Sequence, residues 1–455
     1  MSHLSLRENS YRRKHLAYVR HITLDPTGPG VVRIHMIPPH SQSPEDPYLL
    51  LLNGAQLVPL NFSWAVLLSE FMYCMEPYAG VEISADDWES MLEQAVRAVK
   101  KKVYPFVKAQ ILREDMGTLL RSLVAIARGK EPEVEVAPLS LGEYADKMSA
   151  PHRMDLMVSS MVKDGAWHCN QKCLHCYAAG QTLGETPELT TDLQAANIPQ
   201  VTFTGGEPTL RSDLVELVNA AQWFVTRLNT NGRRLTADLC KALYEASLDS
   251  VQVTLYSDKA AVHNALVGVD GFGDTVAGIK NAVESGLIVS INTPLCSVNR
   301  DYADTLRFAA SLGVRYATCS GLIPSGGATT EGSVATRLSQ AELTDILRTA
   351  VETAHSLNME LDFTSPGWLP EETLRSLGLQ LIPSCGACLS NMAVTPDGTV
   401  VPCQSWLGGV TLGNVLTDPW EKIWTNPQCA AIRAESAKME HLCQLQAGNG
   451  KEAEA

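Results

Sequence analysis

The 455-residue sequence has no apolar run long enough to cross a bilayer; its best, Tyr48–Leu52, falls far short of the ~18 residues that a membrane helix takes. It also lacks a basic tract. Lys100, Lys101 and Lys102 read as the charged end of one helix, and acidic residues prevail to a net charge of −14. That balance excludes general nucleic-acid binding and attraction to acidic membranes. Met1–Arg20 breaks its apolar residues with Arg7, Arg12, Arg13 and Lys14, so no secretory signal is read and the expected location is the cytoplasm. Cysteine, by contrast, is plentiful. Twelve are present, clustered at 169–176 and 385–403 with two more toward the C-terminus. Disulfides do not persist in a reducing compartment, so such clusters point to metal.

The length predicts more than one domain. From about Ile198 to Gly321 short β-rich runs alternate with amphipathic ones. The expected strands are Gln200–Thr204, Phe224–Asn229, Val251–Leu255, Leu287–Thr293 and Val314–Cys319, with Met154–Ser159 before them. Leu210–Gln222, Thr236–Ala246, Gly273–Ser285 and Tyr302–Leu312 read as the intervening helices. Alternation with apolar strands predicts an α/β fold with a parallel sheet, a barrel or doubly wound, whose ligands gather at the carboxyl ends of the strands. Those ends carry Thr204-Gly-Gly-Glu-Pro208, Asn229-Thr-Asn-Gly232, Tyr256-Ser257, Asn292 and Ser320-Gly321.

Residues 1–127 read as a small α+β domain. Its expected strands are Val31–Pro38, Tyr48–Asn53 and Gln56–Leu60, followed by helices Phe62–Glu76 and Ala85–Val103. Residues 128–151 read as a linker, 152–335 as the barrel, 336–447 as a cysteine-bearing C-terminal domain and 448–455 as a disordered tail.

Cys169-x3-Cys173-x2-Cys176 sets three thiolates within eight residues, followed by Tyr177. Three thiolates can each bind one iron of a 4Fe–4S cube and leave the fourth iron open. A zinc site completed by His168, His175 or a remote residue is the alternative. Some thirty residues on comes Thr202-Phe-Thr-Gly-Gly-Glu-Pro-Thr-Leu210, whose glycines permit close approach to a ligand and whose Glu207 suits an ammonium group. Its plain reading is a tight strand–helix turn.

Together, in this order, the two motifs resemble the radical S-adenosylmethionine (SAM) superfamily over about Met154 to Ala328. The resemblance implies a partial (β/α)6 TIM-like barrel in which Cys169, Cys173 and Cys176 ligate a SAM-binding 4Fe–4S cluster. It places Tyr177 near the adenine and the Gly205-Gly206-Glu207-Pro208 run at the methionyl amine. Thr254, Ser257 and Asn292 match positions that contact ribose or carboxylate, and Gly321–Gly326 matches a loop near the adenine. Splitting of SAM to methionine and a 5′-deoxyadenosyl radical is the implied chemistry, with the protein orienting the cofactors.

Beyond the barrel, Cys385-x2-Cys388 and Gly398-x4-Cys403 bracket Met392–Cys403, a hairpin turning at Pro396-Asp397-Gly398. With Leu412-Gly-Asn414 and the helix-like Trp420–Trp424, this resembles the auxiliary-cluster domain called SPASM, or its short Twitch form. A full SPASM domain has more cysteines than the five that follow position 380 here. The resemblance implies one auxiliary 4Fe–4S cluster held by Cys385, Cys388, Cys403 and Cys443. Cys429 is expected to serve as a packed helical residue. A structural zinc with the same four ligands is the alternative.

Cys74 and Cys240 read as small buried hydrophobes, and Tyr316 as core. Cys296 and Cys319 follow or end barrel strands and are the candidate hydrogen-atom donors, against a plain packing role. Tyr256 and His263 are candidates to face the cavity.

The order of strands, then Pro59-Leu-Asn-Phe62 opening a helix, is similar to the winged-helix peptide-recognition element of ribosomal-peptide maturases. Such an element binds a leader peptide as an added strand. The expected function is abstraction of hydrogen from a precursor peptide or protein, giving a crosslink, thioether or epimer. A flavodoxin or ferredoxin is the expected electron donor, and neither nucleic acid nor membrane is an expected partner. Tailoring of a small-molecule or cofactor precursor is the second enzymatic reading, and a zinc-binding non-catalytic protein the third.

Overall fold

In a computed structural model of the chain, residues 6–17, 19–24, 32–39, 46–52, 56–78, 83–128, 130–135, 150–160, 162–163, 166–178, 198–221, 224–379, 381–439 and 441–446 are described. They divide into two units, one made of Met1–Ala150 with Trp223–Val225, the other of the remainder. Most of the expected linker and all of the expected tail lie outside the described residues.

The first unit opens with α1 (Leu6–His15) and an antiparallel meander of β1 (Arg20–Leu24), β2 (Val32–Ile37), β3 (Tyr48–Leu52) and β4 (Gln56–Leu60), paired in that order. Helices α2 (Phe62–Met75), α3 (Ala85–Lys102) and α4 (Ala109–Ala127) follow. Asn61 caps α2 by accepting from the Trp64 N–H at 3.0 Å, and Ser84 caps α3 through the Asp87 N–H at 3.1 Å. Leu50 and Leu52 of β3 join Phe71, Val99 and Met116 in one buried core. Inside it the carboxylate of Glu70 is 2% exposed; it accepts from Tyr11 Oη at 2.5 Å and Lys102 Nζ at 2.9 Å. The three expected strands and two expected helices are all present. The sequence reading missed α1, β1 and α4. No side chain caps α4, so its start carried no local signal.

The second unit is built on a ten-stranded sheet. In chain order it holds β5 (Arg153–Ser159), β8 (Gln200–Gly205), β9 (Val225–Thr230), β10 (Ser250–Thr254), β11 (Ile288–Pro294), β12 (Tyr316–Ser320) and β13 (Glu360–Phe363). Then come β14 (Asn391–Val394), β15 (Thr399–Val401) and β16 (Gly413–Asn414). A separate two-stranded ribbon pairs β6 (Val162–Lys163) with β7 (Ala166–Trp167). The sheet order is β13-β12-β11-β10-β9-β8-β5-β14-β15-β16. All six expected barrel strands are in it, and β13 extends it in parallel from β12. Strand β13 reads Glu-Leu-Asp-Phe, too short and acidic to announce itself as a buried strand.

The hairpin of the C-terminal cysteines is not a separate sheet. Its strand β14 pairs in parallel with β5, Asn391 opposite Arg153, while β15 returns antiparallel.

Helices α5 (Leu214–Ala220), α6 (Ala237–Glu245), α7 (Ala260–Val267), α8 (Phe272–Glu284) and α9 (Tyr302–Ser311) connect the parallel strands. Later helices are α10 (Glu331–Val334), α11 (Gln340–Ser356), α12 (Glu371–Ser376), α13 (Trp420–Trp424) and α14 (Pro427–Met439). Alternation along the strands buries Val201, Phe203, Val251, Val253 and Ile291 in the apolar core. The intervening residues Thr202, Arg227, Gln252, Asn292 and Thr318 line a cavity instead. An α/β barrel interior is ordinarily packed with branched apolar side chains. Here it is polar. Tyr316 begins β12 on that inner face and is 42% exposed, so the expectation that it is core was wrong. No helix among the described residues is long and apolar enough to cross a membrane.

His152, just before β5, is buried with Nε2 unpartnered, and burial pushes its pKa down to about 4. The unfolded chain binds that proton near pH 6.5, so the stability held by neutral His152 is complete above that value and is lost as pH falls toward 4. Between pH 7.5 and 5, wild type is expected to lose about 2 kcal/mol more than H152L in chemical denaturation; equal losses contradict this.

Candidate active site

The carboxyl end of β8 turns sharply at Gly205, whose φ of +133° suits glycine and whose added Cβ would lie 2.2 Å from the Ser159 carbonyl. That closeness lets the Gly206 N–H donate to Ser159 O at 2.8 Å, tying β8 to β5. Glu207 follows, 1% exposed, and its carboxylate is filled from within the protein. Oε1 accepts from the Thr209 N–H (3.1 Å), the Thr209 hydroxyl (2.6 Å) and the Thr230 hydroxyl (2.6 Å); Oε2 accepts from the Asn231 N–H (2.8 Å).

Asn231 passes this order on to the first cysteine loop. Its side-chain amide donates to Asn170 Oδ1 at 2.6 Å, and Arg233 Nη1 donates to Asn170 O at 2.6 Å. Asn170 lies between Cys169 and Cys173. The loop is gripped from other sides as well. Lys172 and Leu174 donate their N–H groups to Val267 O and Leu266 O at the end of α7, and Ser333 donates its hydroxyl to Leu174 O. The Gly327 N–H donates to Cys176 O at 2.7 Å, and at Gly326, with φ +55°, a Cβ would sit 2.4 Å from Tyr177 O. The glycine pair after β12 thus cradles the backbone of the cysteine turn.

These elements enclose a cavity of about 400 Å³, within the usual range of small-molecule sites. Cys169, Cys173, Cys176 and Tyr177 line it, as do Gly205, Gly206 and Glu207, and Thr254, Asn292 and Gly321 across from them. Pro208 and Ser257 are buried beside it without lining it. Tyr256 lines the cavity, whereas His263 lies behind it and accepts from the Tyr256 N–H through Nδ1 at 3.3 Å. His175 also stands on the wall, its Nε2 3.0 Å from the Thr336 hydroxyl.

Neither candidate hydrogen donor reaches the cavity. Cys296 is packed with Tyr256, Leu266, Val267 and Leu322. Cys319 sits on the opposite face of β12, where burial raises its thiol pKa well above the ordinary range. Cys240 is a buried helical residue, as read, whereas Cys74 is only half-buried at the edge of the first unit's core.

Burial likewise pushes the Cys169 thiol up to about 12 and Cys173 higher, and each is raised further by its neighbouring cysteines. Three adjacent thiolates therefore need a strongly positive partner, which bound iron supplies. Three cysteines on one loop, all lining the cavity, suit a cube that gives each thiolate its own iron.

The C-terminal cysteines also gather. Cys388, at φ +52°, donates its N–H to Pro402 O, and Ser436 of α14 donates to Ala387 O at 2.7 Å and to Cys385 Sγ at 3.6 Å. Burial raises Cys403 to about 12, and the nearby Cys385 and Cys443 thiols add to it. Cys429 does more than pack. A hydrogen bond between its thiol and that of Cys388 lowers Cys429 and raises Cys388, and Arg433 donates to Cys429 Sγ at 3.6 Å while stacking 3.9 Å from the Trp424 ring centroid.

Gln404 and Ser405, next to Cys403, line the main cavity. The Tyr177 hydroxyl lies 3.4 Å from both Thr204 Oγ1 and Gln404 Oε1, and Ser325 donates to Ser405 O at 2.8 Å. The two cysteine regions therefore meet at one cavity. Sequence reasoning missed Asn170, Arg227 and Gln404. The first two had a usable signal, a polar residue on the inner face of a strand or inside the cysteine motif.

Residues 168–309 match the radical SAM superfamily, and residues 385–445 match SPASM, an iron–sulfur cluster-binding domain. Residues 168–309 therefore form a radical SAM domain and residues 385–445 a SPASM domain, and these two domains imply a SAM-binding 4Fe–4S cluster, an auxiliary cluster and SAM. Among curated relatives, a probable GTP 3′,8-cyclase of Thermococcus kodakarensis is 36% identical over 157 residues, 32% of this chain and 51% of that protein. The chain thus spans about half the length of the cyclase. The AdoMet-dependent heme synthase of Oleidesulfovibrio alaskensis is 27% identical over 315 residues, 62% of this chain and 79% of the other. Among solved structures, Streptococcus suis SuiB bound to precursor peptide SuiA superposes with a TM-score of 0.58 at 14% identity, covering 85% of this chain and 87% of that one. The enzyme anSMEcpe with bound AdoMet and Kp18Cys peptide gives 0.50 at 16% identity, covering 63% and 83%. At those identities the likeness is one of fold.

In E207Q one carboxylate acceptor becomes an amide donor facing either Asn231 or the Thr209–Thr230 pair, a mismatch costing about 1–3 kcal/mol. About tenfold weaker SAM binding with unchanged iron content is expected in equilibrium titration; unchanged affinity contradicts the role given to Glu207.

Proposed function

We propose that this enzyme modifies a ribosomally made precursor peptide or another protein, which the N-terminal unit recognises. The observation that carries the reading is the extent of the likeness to SuiB. It covers 85% of the chain, whereas residues 151–455 make up only about two thirds of it. The likeness therefore takes in part of the N-terminal unit, and SuiB is a structure with a precursor peptide bound. The antiparallel meander supports the same reading. Its sheet has two edge strands, and β4 lacks a donor at Pro59, so β1 offers the fuller backbone edge for an added peptide strand.

In this proposal Cys169, Cys173 and Cys176 hold the SAM-binding cluster. When bound and reduced by a flavodoxin or ferredoxin, cluster and SAM supply a 5′-deoxyadenosyl radical that removes a hydrogen atom from the peptide. The carboxylate of Glu207 is committed to Thr209, Thr230 and Asn231, so the methionyl amine is left to the backbone at Gly205 and Gly206. Thr254 and Asn292 face the same cavity and serve the nucleoside and the substrate. Cys385, Cys388 and Cys403 hold the auxiliary cluster with Cys443 or Cys429 as the fourth ligand. Gln404 and Ser405 bring that cluster's loop to the wall where a substrate radical forms, which suits transfer of an electron out of the substrate.

Tailoring of a cofactor precursor is the second reading, favoured by the heme synthase, of which the chain covers 79%. The test is anaerobic reconstitution, dithionite reduction with SAM, and offer of candidate precursor peptides and porphyrins. Replacing Cys169, Cys173 and Cys176 with alanine is expected to abolish 5′-deoxyadenosine formation, and C403A to retain it while losing substrate turnover. Deleting residues 1–127 is expected to weaken peptide binding at least tenfold. Full peptide affinity after that deletion, or turnover of the porphyrin alone, overturns the peptide reading.

A further inference from the structure

The two walls of the polar cavity differ in one respect. On the β10–β12 side the inner-face groups satisfy each other: Gln252 Nε2 donates to Thr318 Oγ1 at 3.2 Å, and Thr318 Oγ1 to Asn292 Oδ1 at 2.9 Å. On the β8–β9 side they do not. Among the described residues Thr202 Oγ1, Arg227 Nε and Asn229 Oδ1 are buried without a hydrogen-bond partner, though all three residues line the cavity. Arg153, the other cation there, is paired with Asp155, Nε to Oδ1 at 3.0 Å. Among the described residues no hydrogen bond or ion pair reaches the Arg227 guanidinium.

A buried cation without a partner costs stability and is retained where it has a ligand. Burial lowers Arg227 to about 10, with Arg153 acting in the same direction and Asp155 against it, so Arg227 remains charged at neutral pH. SAM does not account for it. Thr230 and Asn231, which bind Glu207 at the cysteine end, follow Arg227 by three and four residues, roughly 10 Å along an extended strand.

We propose that Arg227, assisted by the Thr202 hydroxyl, binds a carboxylate carried by the substrate deep in the barrel, below the SAM site, while Asn229 Oδ1 accepts from a neighbouring N–H of the same substrate. The guanidinium offers a two-pronged donor face matched to a carboxylate, and the Thr202 hydroxyl adds a third donor. Under the peptide reading above, on which only the source of the group rests, the carboxylate is the side chain of a Glu or Asp close to the modified position. Arg227 then sets which residue is presented to the radical.

The test uses the fully reconstituted protein with saturating SAM, so that the methionyl carboxylate is already placed. Thermal midpoints are measured with glutarate, with its uncharged analogue glutaramide, and with N-acetyl-glutamate methylamide. Glutarate and the glutamyl peptide at about ten times their dissociation constants are expected to raise the wild-type midpoint by about 2–4 °C, with no shift from glutaramide. R227Q is expected to lose the shift, R227K to keep part of it, and ligand-free R227Q to melt no lower than wild type. That last readout separates a ligand-binding charge from a structural one. The proposal is overturned if wild type shows no carboxylate shift, if R227Q keeps it, or if ligand-free R227Q melts several degrees lower. A shift from glutarate with none from the glutamyl peptide keeps the carboxylate subsite and rejects a peptide as its source.

Discussion

The buried carboxylate of Glu207 ties together the carboxyl ends of three neighbouring strands, β5, β8 and β9. The Glu207 backbone N–H donates to Ser159 Oγ of β5 at 3.1 Å, and its carboxylate oxygens accept from the Thr230 hydroxyl and the Asn231 N–H at the end of β9. A carboxylate with four donors and 1% exposure has little freedom left. From Asn231 the restraint runs to Asn170 inside the Cys169–Cys176 loop. The cysteine spacing is therefore not free-standing. It is positioned by a glutamate thirty-eight residues after Cys169, through the sheet that separates them in sequence.

The same sheet brings the second cysteine region to the first. Because β14 pairs with β5, the C-terminal hairpin is an extension of the barrel wall, and the residues after Cys403 come to the cavity mouth. Tyr177, reaching both Thr204 and Gln404, and Ser325, reaching Ser405, mark the seam. One cavity thus has the first cysteine loop on one side and the residues that follow Cys403 on another. That arrangement suits a reaction in which hydrogen abstraction and electron removal act on one substrate.

Much of this was legible in the sequence because local chemistry and local pattern agreed. The cysteine spacing, the Gly205-Gly206-Glu207 turn and six apolar strands each carry their own signal, and the strands are present within a few residues of expectation. The misses differ in cause. Strand β13 has a weak local signal and gains its stability from the neighbour it pairs with, whereas α4 carried a clear helical spacing in Leu112, Met116, Leu119, Leu120 and Leu123 that the sequence reading passed over. Cys296 and Cys319 looked like site residues by position, but alternation turned Cys319 outward and Tyr316 inward to an exposed end. Arg227 was overlooked although its place between Val225 and Asn229 puts it on the inner face of β9, because only the closed barrel shows that this face lines a cavity. The thiol pairing of Cys388 with Cys429 depends on α14 folding back, a contact that spacing alone does not encode.

The central claim is that the Cys169–Cys176 loop, held by Glu207 through Asn231 and Asn170, carries the cluster that binds SAM, while the C-terminal cysteines carry another. Electron paramagnetic resonance of the reduced, reconstituted protein with and without SAM tests it most directly. The account predicts two cluster signals, one of which changes on adding SAM and is missing from C176A, while the other persists in C176A and is lost in C403A. A spectrum indifferent to SAM, or a SAM-sensitive signal that survives C176A, would contradict it.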